Sequence, residues 1–387
     1  MPWKVTCPVE ERMRFITMVN DTDETFTELC TRFGISRKTG YKWVERYEAQ
    51  GPGGLDERRP VARSCPHRTA GEVLDRVLEL RKEHPTWGPK KLRARLLSMG
   101  MTEVPAASTI GDALTKYGLV RPRRRRVCAP MTAMPMAETT HPNDTWCVDF
   151  KGHFALGDKT RCYPLTMTDH VSRYLLKCEA LVKTDFAAVQ PHFERAFREF
   201  GMPWRIRSDN GSPFATTGLG GLSELSVWWI RLGITPERIE PGEPQQNGRH
   251  ERMHRTLKED TTTPSSPTRI GQQRAFDCFR RMYNQERPHE ALEMKTPASV
   301  FVPSRRHMPE KLLSPEYPDT MKVRKLDEQG RLRFAGQNSK TTLSKLLARE
   351  PVGLNPIDDD TWEVFYGPVL IAELMLRGKE IRLDKKR

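Results

Sequence analysis

No stretch of these 387 residues is apolar for long enough to cross a bilayer, and the greasiest segment, Val227-Trp-Trp-Ile, meets Arg231 at once. The opening Met1-Pro-Trp-Lys-Val likewise lacks the apolar core of a signal peptide. Cysteine is sparse and scattered, 8 residues with no Cys-x-x-Cys, so neither a disulfide scaffold nor a thiolate zinc module is written here. Acidic residues are in deficit. Asp plus Glu total 50 against 64 Lys plus Arg, a net charge of +14, which makes a polyanion a more natural partner than a small neutral molecule. The expectation is a soluble protein of a reducing cytoplasm, with nucleic acid as leading partner and no membrane.

What is present suffices for more than one core. At roughly 150 residues per domain the length suggests two to four domains, and 15 Phe, 8 Trp and 8 Tyr supply packing material. The first fifty residues read as a short helical bundle: a helical pattern over Asp23 to Leu29, a turn at Phe33-Gly34-Ile35, and a second helix capped by Ser36. That is the logic of a helix-turn-helix. Its second helix exposes Arg37, Lys38, Lys42 and Arg46 for a major groove, the alternative being an ordinary helical hairpin with a solvated basic face. After the Gly51-Pro-Gly-Gly break, Ala70 to Glu83, Pro89 to Leu97 and a helix capped by Ser108 form a second such unit. It runs into a basic linker over 121–142 in which Arg123, Arg124, Arg125 and Arg126 suit a phosphate backbone or, more blandly, solvent.

From Asn143 strands and helices alternate, the signature of an α/β domain. Trp146 to Phe150, Tyr163 to Thr168 and Tyr174 to Cys178 read as strands, Phe186 to Phe200 as an amphipathic helix, Trp204 to Ser208 as a short strand, and a long helix begins near Gly248. Prolines at 303, 309, 315 and 318 mark a linker to a strand-rich tail, 319–387, expected to be a small β-barrel.

Three acids stand where burial ordinarily forbids them: Asp149 inside an apolar strand, Asp209 at a strand end before Asn210-Gly211, and Glu251 at a helix start. Gathered together they would need cations, and hard oxygen ligands suit two Mg²⁺ ions, with Mn²⁺ as substitute. Each has a structural alternative: an arginine partner for Asp149, an Asx-turn for Asp209, a favourable helix-dipole position for Glu251. Glu251, His254, Arg255 and Lys258 recur at i, i+3, i+4 and i+7, which groups the third acid with three phosphate contacts on one helical face. Gln246, Asn247 and Arg249 precede them and could position DNA.

Trp146-Cys-Val-Asp149-Phe, Arg207-Ser-Asp209-Asn-Gly, Pro244-Gln-Gln-Asn-Gly-Arg-His-Glu251-Arg with Thr256-Leu-Lys, and Tyr283-Asn-Gln-Glu-Arg-Pro-His289 with Thr296-Pro-Ala-Ser occur in this order. Over about residues 140 to 300 the chain thereby resembles bacterial insertion-sequence transposases of the DDE type, whose catalytic core shares the ribonuclease H-like fold of retroviral integrases. The resemblance implies a multidomain protein. All-α helix-turn-helix units at 1–55 and 70–120 would bind terminal inverted repeats, a core at 143–300 would carry Asp149, Asp209 and Glu251 as a metal-binding catalytic triad, and the small barrel would follow. It further implies Mg²⁺-dependent strand cleavage and transfer, double-stranded DNA as substrate, a dimer or larger assembly on DNA, and a bacterial cytoplasm. Two departures stand out: a long span between Asp209 and Glu251, with an insertion around Phe214 to Gly233, and no retroviral-type zinc module. Trp228-Trp229 in the insertion is expected to be core.

Two rival readings remain at this level. His250-Glu-Arg-Met-His254 fits the His-Glu-x-x-His zinc pattern of metalloproteases, though no third ligand follows it at a characteristic spacing. A DNA-binding regulator with a non-catalytic ribonuclease H-like domain is the other.

Overall fold

The computed structural model describes residues 7–57, 69–120, 138–240, 246, 248–333, 340–358, 360–377 and 380–385. The chain divides into two compact units, Met1–Arg68 and Thr69–Arg387. In the first, helices Pro8–Asp21 (α1), Phe26–Arg32 (α2) and Arg37–Gln50 (α3) enclose Phe15, Ile16, Leu29, Cys30, Trp43 and Leu55. Thr25 and Glu28 form a reciprocal capping box at the start of α2, and Ser36 Oγ accepts the Thr39 N–H at 3.2 Å at the start of α3. Gly40 is needed where α3 crosses α2, because a Cβ there would stand 2.8 Å from Cys30 Sγ.

The second unit begins with three more helices, Gly71–Glu83 (α4), Pro89–Ser98 (α5) and Ala107–Lys116 (α6), packed around Val77, Leu80, Trp87, Leu92, Leu96, Ile110 and Leu114. The cap of α6 is Ala106, so Ser108 lies within the first turn instead of capping it. The basic run with Arg123, Arg124, Arg125 and Arg126 lies outside the described residues.

An α/β core follows. Strands Thr145–Phe150 (β1), Phe154–Ala155 (β2), Arg161–Asp169 (β3) and Leu175–Leu181 (β4) precede helix Phe186–Phe200 (α7), strand Arg205–Ser208 (β5), helix Glu224–Arg231 (α8) and strand Thr235–Arg238 (β6). Helices Gly248–Thr261 (α9) and Arg269–Gln285 (α10) complete it. β1, β3 and β4 pair antiparallel, whereas β5 and β6 run parallel to β1. Period-two alternation sorts the side chains: Trp146, Val148, Leu165 and Met167 face α7 and α8, while Cys147, Asp149, Thr166 and Thr168 take the opposite face. On that opposite face α9 and α10 pack Met253, Leu257, Phe276, Phe279 and Tyr283 against Leu175, Cys178 and Ala180. The segment just after α10 also receives the preceding helical module, since Arg95 and Lys90 on α5 pair with Glu286 and Glu290 at 3.1 and 3.4 Å.

The insertion between the second and third acids carries α8, and its two tryptophans are core as expected: Trp229 meets Phe193 edge-on and Trp228 stacks on Phe197. The tail departs from expectation. Strands Lys322–Lys325 (β7), Arg331–Arg333 (β8), Lys340–Thr342 (β9), Pro351–Pro356 (β10), Thr361–Tyr366 (β11), Val369–Arg377 (β12) and Glu380–Lys385 (β13) form an open antiparallel sheet in the order β13-β12-β11-β10-β7, with β8 and β9 as a separate pair. Among the described residues no closed barrel forms. The packing accounts for this: Val352, Leu354, Val364, Ile371 and Leu374 cluster with Leu219, Leu222, Val227 and Ile230 of the insertion as well as with Leu332, Leu343 and Leu347 of the tail, so the sheet buries its apolar face partly on the core.

Candidate active site

Asp149 sits on β1 opposite Thr166 of β3, in the layer that α9 covers. Its carboxyl is 21% exposed, and burial, with the charges of Asp209 and then Glu251 adding to it, pushes its pKa up to about 7. The two other acids are therefore close enough to be felt through space. Asp209 follows β5 half-buried, and its Oδ1 accepts the Gly211 N–H at 3.2 Å, so the Asx-type turn is formed. A carboxylate has about four acceptor sites, and this turn uses one. Glu251 is exposed in the first turn of α9. Facing the Asp149 carboxyl is His254, Nδ1 to Oδ2 3.6 Å, with the Lys151 charge also acting on it, and not an arginine.

His254 thus requires a correction. The helical face read from the sequence groups it with Glu251, Arg255 and Lys258, but His254 is buried whereas those three are exposed. At about 100° per residue it lies about 60° from Glu251, on the side of His250, Met253 and Leu257. It faces Asp149 and Thr166 and offers no outward surface to a phosphate.

Sequence reasoning also missed a polar chain under this helix. Thr166 Oγ1 donates to the Asp149 carbonyl oxygen at 3.0 Å and lies 2.7 Å from Nε2 of both His250 and His254, while Thr168 Oγ1 lies 2.8 Å from His250 Nδ1. A hydroxyl has one proton to give. With that proton on the Asp149 carbonyl, both imidazoles must donate from Nε2, which leaves His250 Nδ1 to accept from Thr168. Burial keeps both rings neutral, His250 down to about 3 and His254 well below its ordinary value. Asp149, His250 and His254 do bring their ligand atoms within 4.8 Å of one another. Both Nε2 atoms are nevertheless engaged with Thr166, and His250 Nδ1 with Thr168, so the arrangement gives a zinc ion no pair of free imidazole lone pairs and does not support the metalloprotease reading.

Guanidiniums gather around His170. Arg249 Nη1 donates to the His170 carbonyl at 3.3 Å, and Arg207 Nη1 lies 3.4 Å from His170 Nδ1 while its Nε pairs with Glu237 at 2.8 Å. Burial first, then Arg249, Arg207 and Arg173, hold His170 down at about 3. Arg173, with Nε buried and unpartnered, is itself lowered to about 10 by burial and by Arg249. Of the other expected contacts, Gln246 Oε1 accepts the Glu240 N–H at 2.9 Å and its Nε2 is buried without a partner, and Asn247 lies outside the described residues. In the first unit Arg37, Lys38 and Lys42 are exposed on α3, whereas Arg46 is half-buried with its guanidinium 5.1 Å from the Trp43 ring centre.

The integrase core domain family matches residues 139–244 and, in a second form, 232–297. These matches span all three acids. Over these residues the chain is similar to the integrase cores of DDE-type transposases. A homeodomain-like family matches residues 39–114 and a helix-turn-helix family residues 11–63. Among relatives, an insertion element IS407 protein of Burkholderia multivorans is 27% identical over 257 residues, covering 63% of this chain and 90% of that protein. An insertion element IS476 protein of Xanthomonas euvesicatoria is 27% identical over 227 residues, covering 58% and 62%. A Gag-Pol polyprotein of baboon endogenous virus is 32% identical over 165 residues, 41% of this chain and 9% of that polyprotein. The ribonuclease H-like integrase core is thus joined to helix-turn-helix DNA-binding units in one DDE polynucleotidyl transferase. No helix among its described residues is long and apolar enough to cross a membrane.

Proposed function

We propose that this transposase binds the terminal inverted repeats of its own element through the helical units at 1–55 and 70–120, and cleaves and joins DNA strands at Asp149, Asp209 and Glu251. The observation that carries the reading is the Asp149 carboxyl on the central strand, its pKa raised by burial and by the charges of Asp209 and Glu251. Like charges that act on one another suit divalent cations, and the three carboxylates, which do not yet meet within ligand distance in the metal-free chain, are the oxygen donors that fit Mg²⁺ with Mn²⁺ as substitute. Bound there, two such ions would activate a water or a 3′-hydroxyl and stabilise the leaving oxygen of the phosphodiester.

The chain's own residues do the rest. Asp149 is presented from a rigid central strand, Asp209 from a turn fixed by Gly211, and Glu251 from a helix start whose dipole favours its charge. Arg249, Arg255 and Lys258 provide positive charge for DNA phosphates beside the acids, and Arg37, Lys38 and Lys42 of α3 are exposed for base-edge reading. Concerted joining of two ends calls for two protomers, so a dimer or larger assembly on DNA is expected. The test is metal-dependent joining of a labelled end fragment by wild type, Asp149→Asn and Asp209→Asn. Joining lost with duplex binding retained supports the reading, and joining unchanged in both variants defeats it.

A further inference from the structure

Beside the buried chain Asp149–His254–Thr166–His250–Thr168, Met253 and Leu257 also hold α9 on the sheet through apolar contact. Burying two imidazoles and two hydroxyls is unfavourable unless each finds a partner, and here the ring nitrogens and hydroxyls are arranged around one another. The chain links two particular places. At one end Thr166 holds the Asp149 backbone carbonyl on the strand, and His254 stands 3.6 Å from the Asp149 carboxyl. At the other, His250 and His254 bracket Glu251 in the first turns of α9, one residue before it and three after it. A helix pinned on both sides of a residue cannot rotate or slide there without breaking bonds of 2.7 and 2.8 Å.

We propose that His250 and His254, with Thr166 and Thr168, are positioning residues that fix the spacing between Asp149 and Glu251 and thereby set the affinity of the acidic site for its divalent cation. The inference rests on the acid-site reading given above. It differs from a packing role in what it moves: packing alters the unfolding midpoint, whereas positioning alters cation affinity in protein that remains folded. Residues that orient metal ligands typically change affinity or activity by about 10- to 100-fold when removed.

The experiment titrates the full chain with Mn²⁺ in the absence of DNA, following free Mn²⁺ by electron paramagnetic resonance, alongside circular dichroism and thermal melts. Thr166→Val removes the hydroxyl on which both rings converge, Thr166→Ser retains it, and Thr168→Val cuts only the outer link. Expected is a Mn²⁺ dissociation constant raised about 10- to 100-fold in Thr166→Val, raised by a smaller factor in Thr168→Val, and restored to within about threefold of wild type in Thr166→Ser. Should Thr166→Val fail to fold, Thr168→Val against Thr166→Ser still decides. Asp149→Asn separates the two layers of the argument. If it loses Mn²⁺ while the folded threonine variants bind like wild type, the positioning inference alone falls. If Asp149→Asn binds as well as wild type, the acid-site reading falls and the inference with it.

Discussion

Asp149 makes the metal-free protein less stable than its fold would otherwise allow, and the cost depends on pH in a calculable way. Its pKa is raised from 3.8 to about 7 in the fold. The native state therefore binds more protons than the unfolded chain between those values, and stability must fall as pH rises from about 4 to about 7, levelling once the carboxyl is ionised in both states. About three units at ~1.36 kcal/mol each give about 4 kcal/mol, an upper bound because the carboxyl retains some exposure. Asp149→Asn removes the titrating group while keeping the shape. In EDTA, urea unfolding of wild type and Asp149→Asn is expected to show a stability difference that grows in favour of the variant through this window and is constant above it. Adding Mg²⁺ at pH 8 should stabilise wild type and leave the variant nearly unchanged, as binding to the native state alone requires. Parallel pH profiles for the two proteins from pH 4.5 to 8 would refute the argument, since Asp149 would then be an ordinary carboxylate.

Further outcomes follow from other parts of the molecule. Replacing Arg249 and Arg255 together by Gln should lower the salt dependence of duplex binding, the slope of log K against log[salt] falling by about 0.9 for each phosphate no longer neutralised; an unchanged slope removes both from the DNA path. Arg37→Ala with Lys42→Ala should flatten discrimination between end and random duplexes, by about 1–3 kcal/mol for each base edge no longer read, as measured by competition binding. Trp229→Ala, which empties a fully buried site shared with Phe193 and Phe214, should cost about 3–5 kcal/mol in chemical denaturation.

Much of the core is legible in the sequence because its signals are local. The apolar stripe of Phe186 to Phe200 with Asp185 before it, and the Ser36 cap, specify their helices without reference to the rest of the chain. Asp149 stands out because a buried strand disfavours a carboxylate, whereas Asp209 and Glu251 occupy a turn and a helix start that favour acids and are legible only through the motifs around them. What escapes the sequence depends on neighbours distant along the chain. Thr166 and Thr168 look like ordinary strand residues until His250 and His254 are laid over them, and the same histidines spaced four apart look like zinc ligands until those hydroxyls are seen to occupy them. His254 reads as outward-facing because a spacing of three residues is near one helical turn but not equal to it, and the remainder of about 60° is enough to bury a side chain. The open sheet of the tail reflects a partner surface, Leu219 to Ile230, contributed by an insertion roughly a hundred residues earlier in the chain.

The most direct test of the central claim is single-turnover joining of a labelled end fragment from the protein's own element, with Mg²⁺, comparing wild type with Glu251→Gln, which removes the outermost acid while leaving the polar chain beneath α9 intact. Joining abolished in the variant, with the end fragment bound as tightly as by wild type, is the result the account predicts. Joining at the wild-type rate by Glu251→Gln would contradict it.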